Sequence, residues 1–117
     1  MQFLTHDGSV NVIRNLYLKH RNIDLFSPVI IGDNVFLGYG VVVLPGTVIG
    51  DNVIVGAGTI VRGELRSNSV YAGVPSKYIC SINDYIQKHE KSFIQTKFLS
   101  KEEKNKVLSN LEIHNRL

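Results

Sequence analysis

A mainly β chain, built as a coil of short strands and followed by C-terminal α-helices, is the fold class that this sequence predicts. Three observations carry it. Eight of the ten glycines lie between Gly32 and Gly63, and fourteen of the 33 residues from Val29 to Val61 are Val or Ile. That span holds only two charges, Asp33 and Asp51. Above all, residues 31–66 read in register as six consecutive six-residue phrases: IGDNVF, LGYGVV, VLPGTV, IGDNVI, VGAGTI and VRGELR.

The first position of each phrase is Ile31, Leu37, Val43, Ile49, Val55 and Val61, aliphatic every time. The second is Gly32, Gly38, Leu44, Gly50, Gly56 and Arg62. The fifth is Val35, Val41, Thr47, Val53, Thr59 and Leu65, mostly β-branched. A period of six fits neither a 3.6-residue helix nor simple two-residue alternation. It fits flat faces, where β-branched residues are favoured, separated by tight corners where glycine admits backbone shapes closed to other residues.

These phrases resemble the hexapeptide-repeat acyltransferases, whose fold is a left-handed parallel β-helix with three hexapeptides to each triangular coil. The resemblance makes residues 31–66 two full coils and covers residues 3–80. Thr5-His6-Asp7-Gly8-Ser9 looks like the family's THD element, Ile54–Val61 like its Gly-Ala-Gly coil, and Tyr71–Ile79 like its closing AGVP signature. The spacing is most similar to the sugar, galactoside and capsular-polysaccharide O-acetyltransferases.

Taken in order, residues 1–6 then end one coil, a loop protrudes at about 7–24, and residues 25–30 form the last face before the regular coils. The β-helix domain occupies residues 1–80. The loop is polar, with Arg14, Asn15, Tyr17, Lys19, His20, Arg21 and Asn22, and is of a length more often functional than not. A helical extension occupies residues 81–117. Ser81 can cap a helix carrying Ile82, Tyr85, Ile86, His89 and Phe93 on one face, and Ser100 with Glu103 forms a capping box before Val107, Leu108 and Leu111. Both helices read as packing elements.

The resemblance implies a catalytic set. His6 is the general base that takes a proton from an acceptor hydroxyl, a task that suits imidazole near neutral pH. The N–H of Tyr39 meets the negative charge that develops on the attacked carbonyl oxygen. Acetyl-CoA is the acyl donor, with Gly38, Gly56, Ala57 and Arg62 along its pantetheine and nucleotide and Lys77 on its phosphates. Asp7 either orients His6 or is a solvated loop carboxylate. The implied reaction is direct transfer to a sugar-type hydroxyl by a homotrimer. The alternative is a truncated, non-catalytic β-helix module that trimerises and binds CoA. Phe36 stands where many relatives carry tryptophan, which keeps an apolar wall without the indole N–H.

Other classes fit poorly. The 117 residues bound a single domain of 13.1 kDa. No apolar run reaches the length of a membrane span, and the N-terminus lacks a secretory signal pattern, so a cytoplasmic location is expected. A net charge of +3 is dispersed, without an arginine stripe interleaved with aromatics, which argues against nucleic acid. Single Cys80 permits no internal disulfide, and its apolar surroundings suggest a buried thiol. No metal is expected: His6, His20, His89 and His114 do not match the three-histidine zinc set of the related carbonic anhydrases.

Overall fold

A computed structural model describes the backbone of residues 2–116 and the side chains of residues 3–111. Strand β1 (Gln2–Phe3) is followed by helix α1 (Val10–Leu16) and a 3₁₀ turn at Leu18–His20. Seven short strands then alternate with corners: β2 (Ile30–Ile31), β3 (Val35–Leu37), β4 (Val42–Val43), β5 (Val48–Ile49), β6 (Val53–Val55), β7 (Ile60–Val61) and β8 (Glu64–Leu65). Strands β9 (Ser69–Ala72) and β10 (Lys77–Ser81) precede helices α2 (Ile82–His89) and α3 (Lys101–Arg116).

The strands stack into three ladders. β1-β4-β7 makes a first face, β2-β5-β8 a second, and β3-β6-β9 a third, every pair parallel. Each circuit of the chain thus visits three faces and returns one rung lower. β10 closes the third face by turning back antiparallel on β9, after a corner that holds the cis Val74–Pro75 bond.

The repeat dictates what points inward. First and fifth positions of the phrases fill the core: Val41, Val43, Val55 and Val61 are wholly buried, and Ile49, Val53 and Leu65 nearly so. Thr47 and Thr59 share this interior because each hydroxyl donates to a backbone carbonyl, of Leu44 and of Gly56, at 2.7 Å. Glycine at the second position is set by the neighbouring rung. A Cβ on Gly32 would lie 2.7 Å from the Gly50 carbonyl oxygen, and one on Gly38 would lie 2.7 Å from the Ala57 nitrogen.

The sixth phrase departs from the expected register. Val42 pairs with Ile60 eighteen residues on, but Val48 pairs with Glu64 only sixteen on, and Ile49 with Leu65. The corner Leu44-Pro45-Gly46-Thr47 has shrunk to Arg62-Gly63. Leu65 therefore occupies a first position rather than a fifth, and residues 31–66 are not two equal coils.

Beyond the coil, Ser81 caps α2 by accepting from the Asp84 N–H at 3.0 Å, and Ser100 accepts from the Glu103 N–H at 3.1 Å. Phe93 falls outside α2, past a 3₁₀ turn at Glu90–Ser92, and is exposed. α3 does not pack as expected: among the described residues no other element lies along it, and Leu108 and Leu111 stay exposed. The molecule is 68 Å long with a radius of gyration of 20.5 Å, against about 13 Å for a compact chain of this size.

Candidate functional site

His6 sits where the chain leaves the coil. Leu4 donates its N–H to the Val43 carbonyl at 2.8 Å, just as Leu44 donates to Val61 at 2.9 Å. Leu4, Leu44 and Arg62 therefore occupy equivalent places on the corner between the first and second faces. Beyond it, an antiparallel neck holds the protruding loop: Asp7 N–H to Leu25 O at 2.7 Å, Ser27 N–H to Thr5 O at 2.9 Å, and a bridge between His6 and Phe26. The imidazole is exposed, lies 5.3 Å from the Phe26 ring centre, and has Nδ1 3.4 Å from the Thr5 hydroxyl.

Asp7 does not orient it. The Asp7 carboxylate accepts from the Ser9 N–H at 2.9 Å, a local turn that leads into α1. Hydrogen bonding to Ser9 favours the charged form and holds this carboxyl below the usual aspartate range. A depressed folded value means that the contact supports the loop above the unfolded pKa and is lost as pH falls through the folded one. Carbon-13 titration is expected to place the Asp7 midpoint below that of an unfolded-chain aspartate, and Ser9→Pro, which removes the donor, to bring it back up. A wild-type midpoint at the unfolded value contradicts this assignment.

Tyr39 lies at a different corner, between the third and first faces, with its side chain 94% exposed. Its carbonyl accepts from the Gly58 N–H at 2.8 Å, while its own N–H has no protein acceptor among the described residues, and neither has that of Ala57 one rung below. Gly38 and Gly56 share this corner. Gly38 is buried and its N–H is bonded to Val55 O at 2.9 Å, and a Cβ on Gly56 would lie 3.3 Å from that of Ala72. Rung packing thus accounts for glycine at both places, and the N–H groups without an acceptor among the described residues are those of Tyr39, Gly40 and Ala57. Lys77 is exposed and pairs with Ala72, so it borders the same corner.

The expected residues consequently divide into two groups. His6 and Arg62 stand at one end of the first face, and Gly38, Tyr39, Gly56, Ala57 and Lys77 at the other. Only at the lowest rung are the ends linked within one chain: Ser76, next to Lys77, accepts the Arg62 N–H at 3.3 Å, whereas His6 and Tyr39 keep the whole face between them. Cys80, expected to be buried, is half-exposed on β10. The side chain of His114 lies outside the described residues.

Residues 28–63 match the family described as bacterial transferase hexapeptide (six repeats). Protein CapG of Staphylococcus aureus is 43% identical over 116 residues, which is 99% of this chain and 66% of CapG. The chain belongs to the bacterial hexapeptide transferases. Among solved structures, this hexapeptide transferase is similar to a maltose O-acetyltransferase from Clostridium difficile, with a TM-score of 0.56 and 38% identity over 68% of this chain and 41% of that one. It is also similar to a galactoside acetyltransferase in complex with coenzyme A, with a TM-score of 0.52 and 44% identity over 57% of this chain and 34% of the other. The chain thus spans just under two thirds of CapG and less than half of these two solved relatives. No helix among its described residues is long and apolar enough to cross a membrane.

Proposed function

We propose that this chain is the donor-binding and catalytic part of an acetyl-CoA-dependent O-acetyltransferase that acts on a hydroxyl of a saccharide. Residues 1–80 form its left-handed parallel β-helix, residues 81–117 its helical extension, and three copies its active assembly. The observation that carries the reading is the set of N–H groups of Tyr39, Gly40 and Ala57, without acceptors among the described residues, on an exposed corner with Lys77 at its border. This corner fits coenzyme A: free backbone donors suit the amides and carbonyls of a long pantetheine arm, and a flexible lysine suits its phosphates. The galactoside acetyltransferase with coenzyme A, 44% identical where it aligns, supports that choice of donor.

Acetyl-CoA, when bound, would supply a thioester carbonyl as the electrophile and, once its C–S bond breaks, a thiolate that takes up a proton and leaves as coenzyme A. His6 takes the proton from the acceptor hydroxyl at an imidazole nitrogen as the oxygen attacks. The Tyr39 N–H stabilises the charge on the carbonyl oxygen, and being fixed in the backbone it needs no rearrangement to do so. In a homotrimer, the His6–Arg62 corner of one protomer can face the Tyr39–Lys77 corner of its neighbour, so that two chains complete each site.

The test is free-thiol release from acetyl-CoA by purified protein with maltose, galactosides and amino sugars as acceptors, with mass measured by light scattering. Acceptor-dependent release from a particle three times the 13.1 kDa chain mass is expected. Binding of acetyl-CoA without turnover on any acceptor overturns the reading and favours a non-catalytic module.

A further inference from the structure

At the corner between the second and third faces, asparagine occupies the left-handed backbone position in every rung. Asn34, Asn52 and Asn68 have φ of 57°, 56° and 59°. Backbone shape alone does not select asparagine, because glycine fills the positive-φ positions of the other corners, as at Gly40 and Gly58. The three amides form a rail: Asn34 Nδ2 donates to Asn52 Oδ1, and Asn52 Nδ2 to Asn68 Oδ1, each at 2.9 Å. A primary amide has two donors and two lone pairs, and all three side chains are exposed, so the rail keeps both donors and acceptors for a ligand.

Beside the rail runs a groove of about 510 Å³ along the outer side of the third face. Its floor is Phe36, 60% exposed, and half-buried Ile54, and Ile82 at the start of α2 closes one side. The volume falls in the range of roughly 300–1,000 Å³ typical of small-molecule sites. No ionisable side chain lines it. Phosphate-bearing ligands, coenzyme A and nucleotide sugars among them, find no cation here. A hydrocarbon ligand would strip water from amides and return no hydrogen bonds.

We propose that this groove binds a neutral saccharide chain, with the amide rail taking its hydroxyls and the Phe36 ring taking the C–H face of a sugar. Successive amides sit one rung apart, about 4.8 Å, a spacing on the scale of one sugar ring. Strand β3, which carries Phe36, runs directly into Gly38 and Tyr39, so the rail and the corner assigned to acetyl transfer lie at the two ends of the same strand. The identity of this polymer as the acceptor rests on the acetyltransferase reading.

The test records side-chain amide spectra of the full chain during separate titrations with maltohexaose, cellohexaose, chitohexaose and coenzyme A. The signals of Asn34, Asn52 and Asn68 are expected to shift saturably with at least one hexasaccharide and to stay still with coenzyme A. Asn52→Gly retains the backbone conformation and is expected to weaken that binding about tenfold, as loss of a pair of hydrogen bonds implies. Phe36→Leu, which keeps an apolar floor without the ring, is expected to weaken it as well. Silence with all three sugars, equal shifts with coenzyme A, or unchanged affinity in both variants overturns the proposal. Thiol release measured on the same protein separates the two readings. Turnover with a silent groove defeats only the groove, and sugar binding without turnover defeats only the acetyltransferase.

Discussion

His6→Ala is expected to lower acetyl transfer by about 10²–10⁴-fold, the range lost with a general base, and to leave coenzyme A affinity largely unchanged. The separation follows from where the groups lie. His6 is at the far end of the first face from Tyr39, Ala57 and Lys77, so its loss leaves the proposed donor corner of the same chain untouched. The backbone locates the imidazole: the neck pairs residues 5–7 with 25–27, and Phe26 lies under the ring at 5.3 Å. Among the described residues no carboxylate bonds to it, and Asp7 is committed to Ser9. Asp7→Ala is therefore expected to cost less than about tenfold, well short of a lost base. Thiol-release rates for the two variants at saturating donor make the comparison. An alanine variant at position 6 with rates near wild type sinks the assignment.

Ile49→Ala is expected to cost about 2–5 kcal/mol of stability, a large share of the roughly 5–15 kcal/mol that holds a domain together. Ile49 is 1% exposed and pairs with Ile31 above and Leu65 below, so truncation leaves a void closed on both sides by rungs that cannot move independently. Ile31 has the same place in its phrase but is only half-buried, with one rung neighbour, and Ile31→Ala is expected to cost about half as much. Urea unfolding at matched protein concentration reads both. Equal losses at the two positions contradict a core centred on the Ile49 rung.

First and fifth positions of the repeat were legible because a coil with flat faces and sharp corners must alternate inward and outward at fixed steps. Isoleucine, valine and threonine at 31, 43, 47, 49, 53, 55, 59 and 61 declare that rule directly. The shortened corner was hidden because Leu65 is aliphatic and fits either register: only strand pairing shows that it stacks on Ile49 and not under Thr47. The return strand β10 was missed for another reason. Lys77-Tyr78-Ile79-Cys80-Ser81 carries no six-residue signal, and the only local hints were Gly73, at φ 102°, and Pro75 just before it. At the candidate site, motif likeness named the residues but not their distribution. His6 and Tyr39 are separated by a whole face, which depends on how many corners intervene. In the sequence the asparagines are parts of a repeated phrase, and their amides meet only because rungs stack in register.

The protruding loop also sets an order of stability within the coil. β4 and β7 pair across eighteen residues, Val42 to Ile60, whereas β1 and β4 pair across forty, Gln2 to Val42. Closing the longer segment costs about 0.7 kcal/mol more in chain entropy. Phe3, within β1, remains 48% exposed. Local opening thus begins at β1, whose amide protons exchange with solvent before those of β4 or β7. The histidine assigned the chemistry is tethered to the rung closed by the longest segment, so activity is expected to fail at a lower temperature than that at which the coil melts.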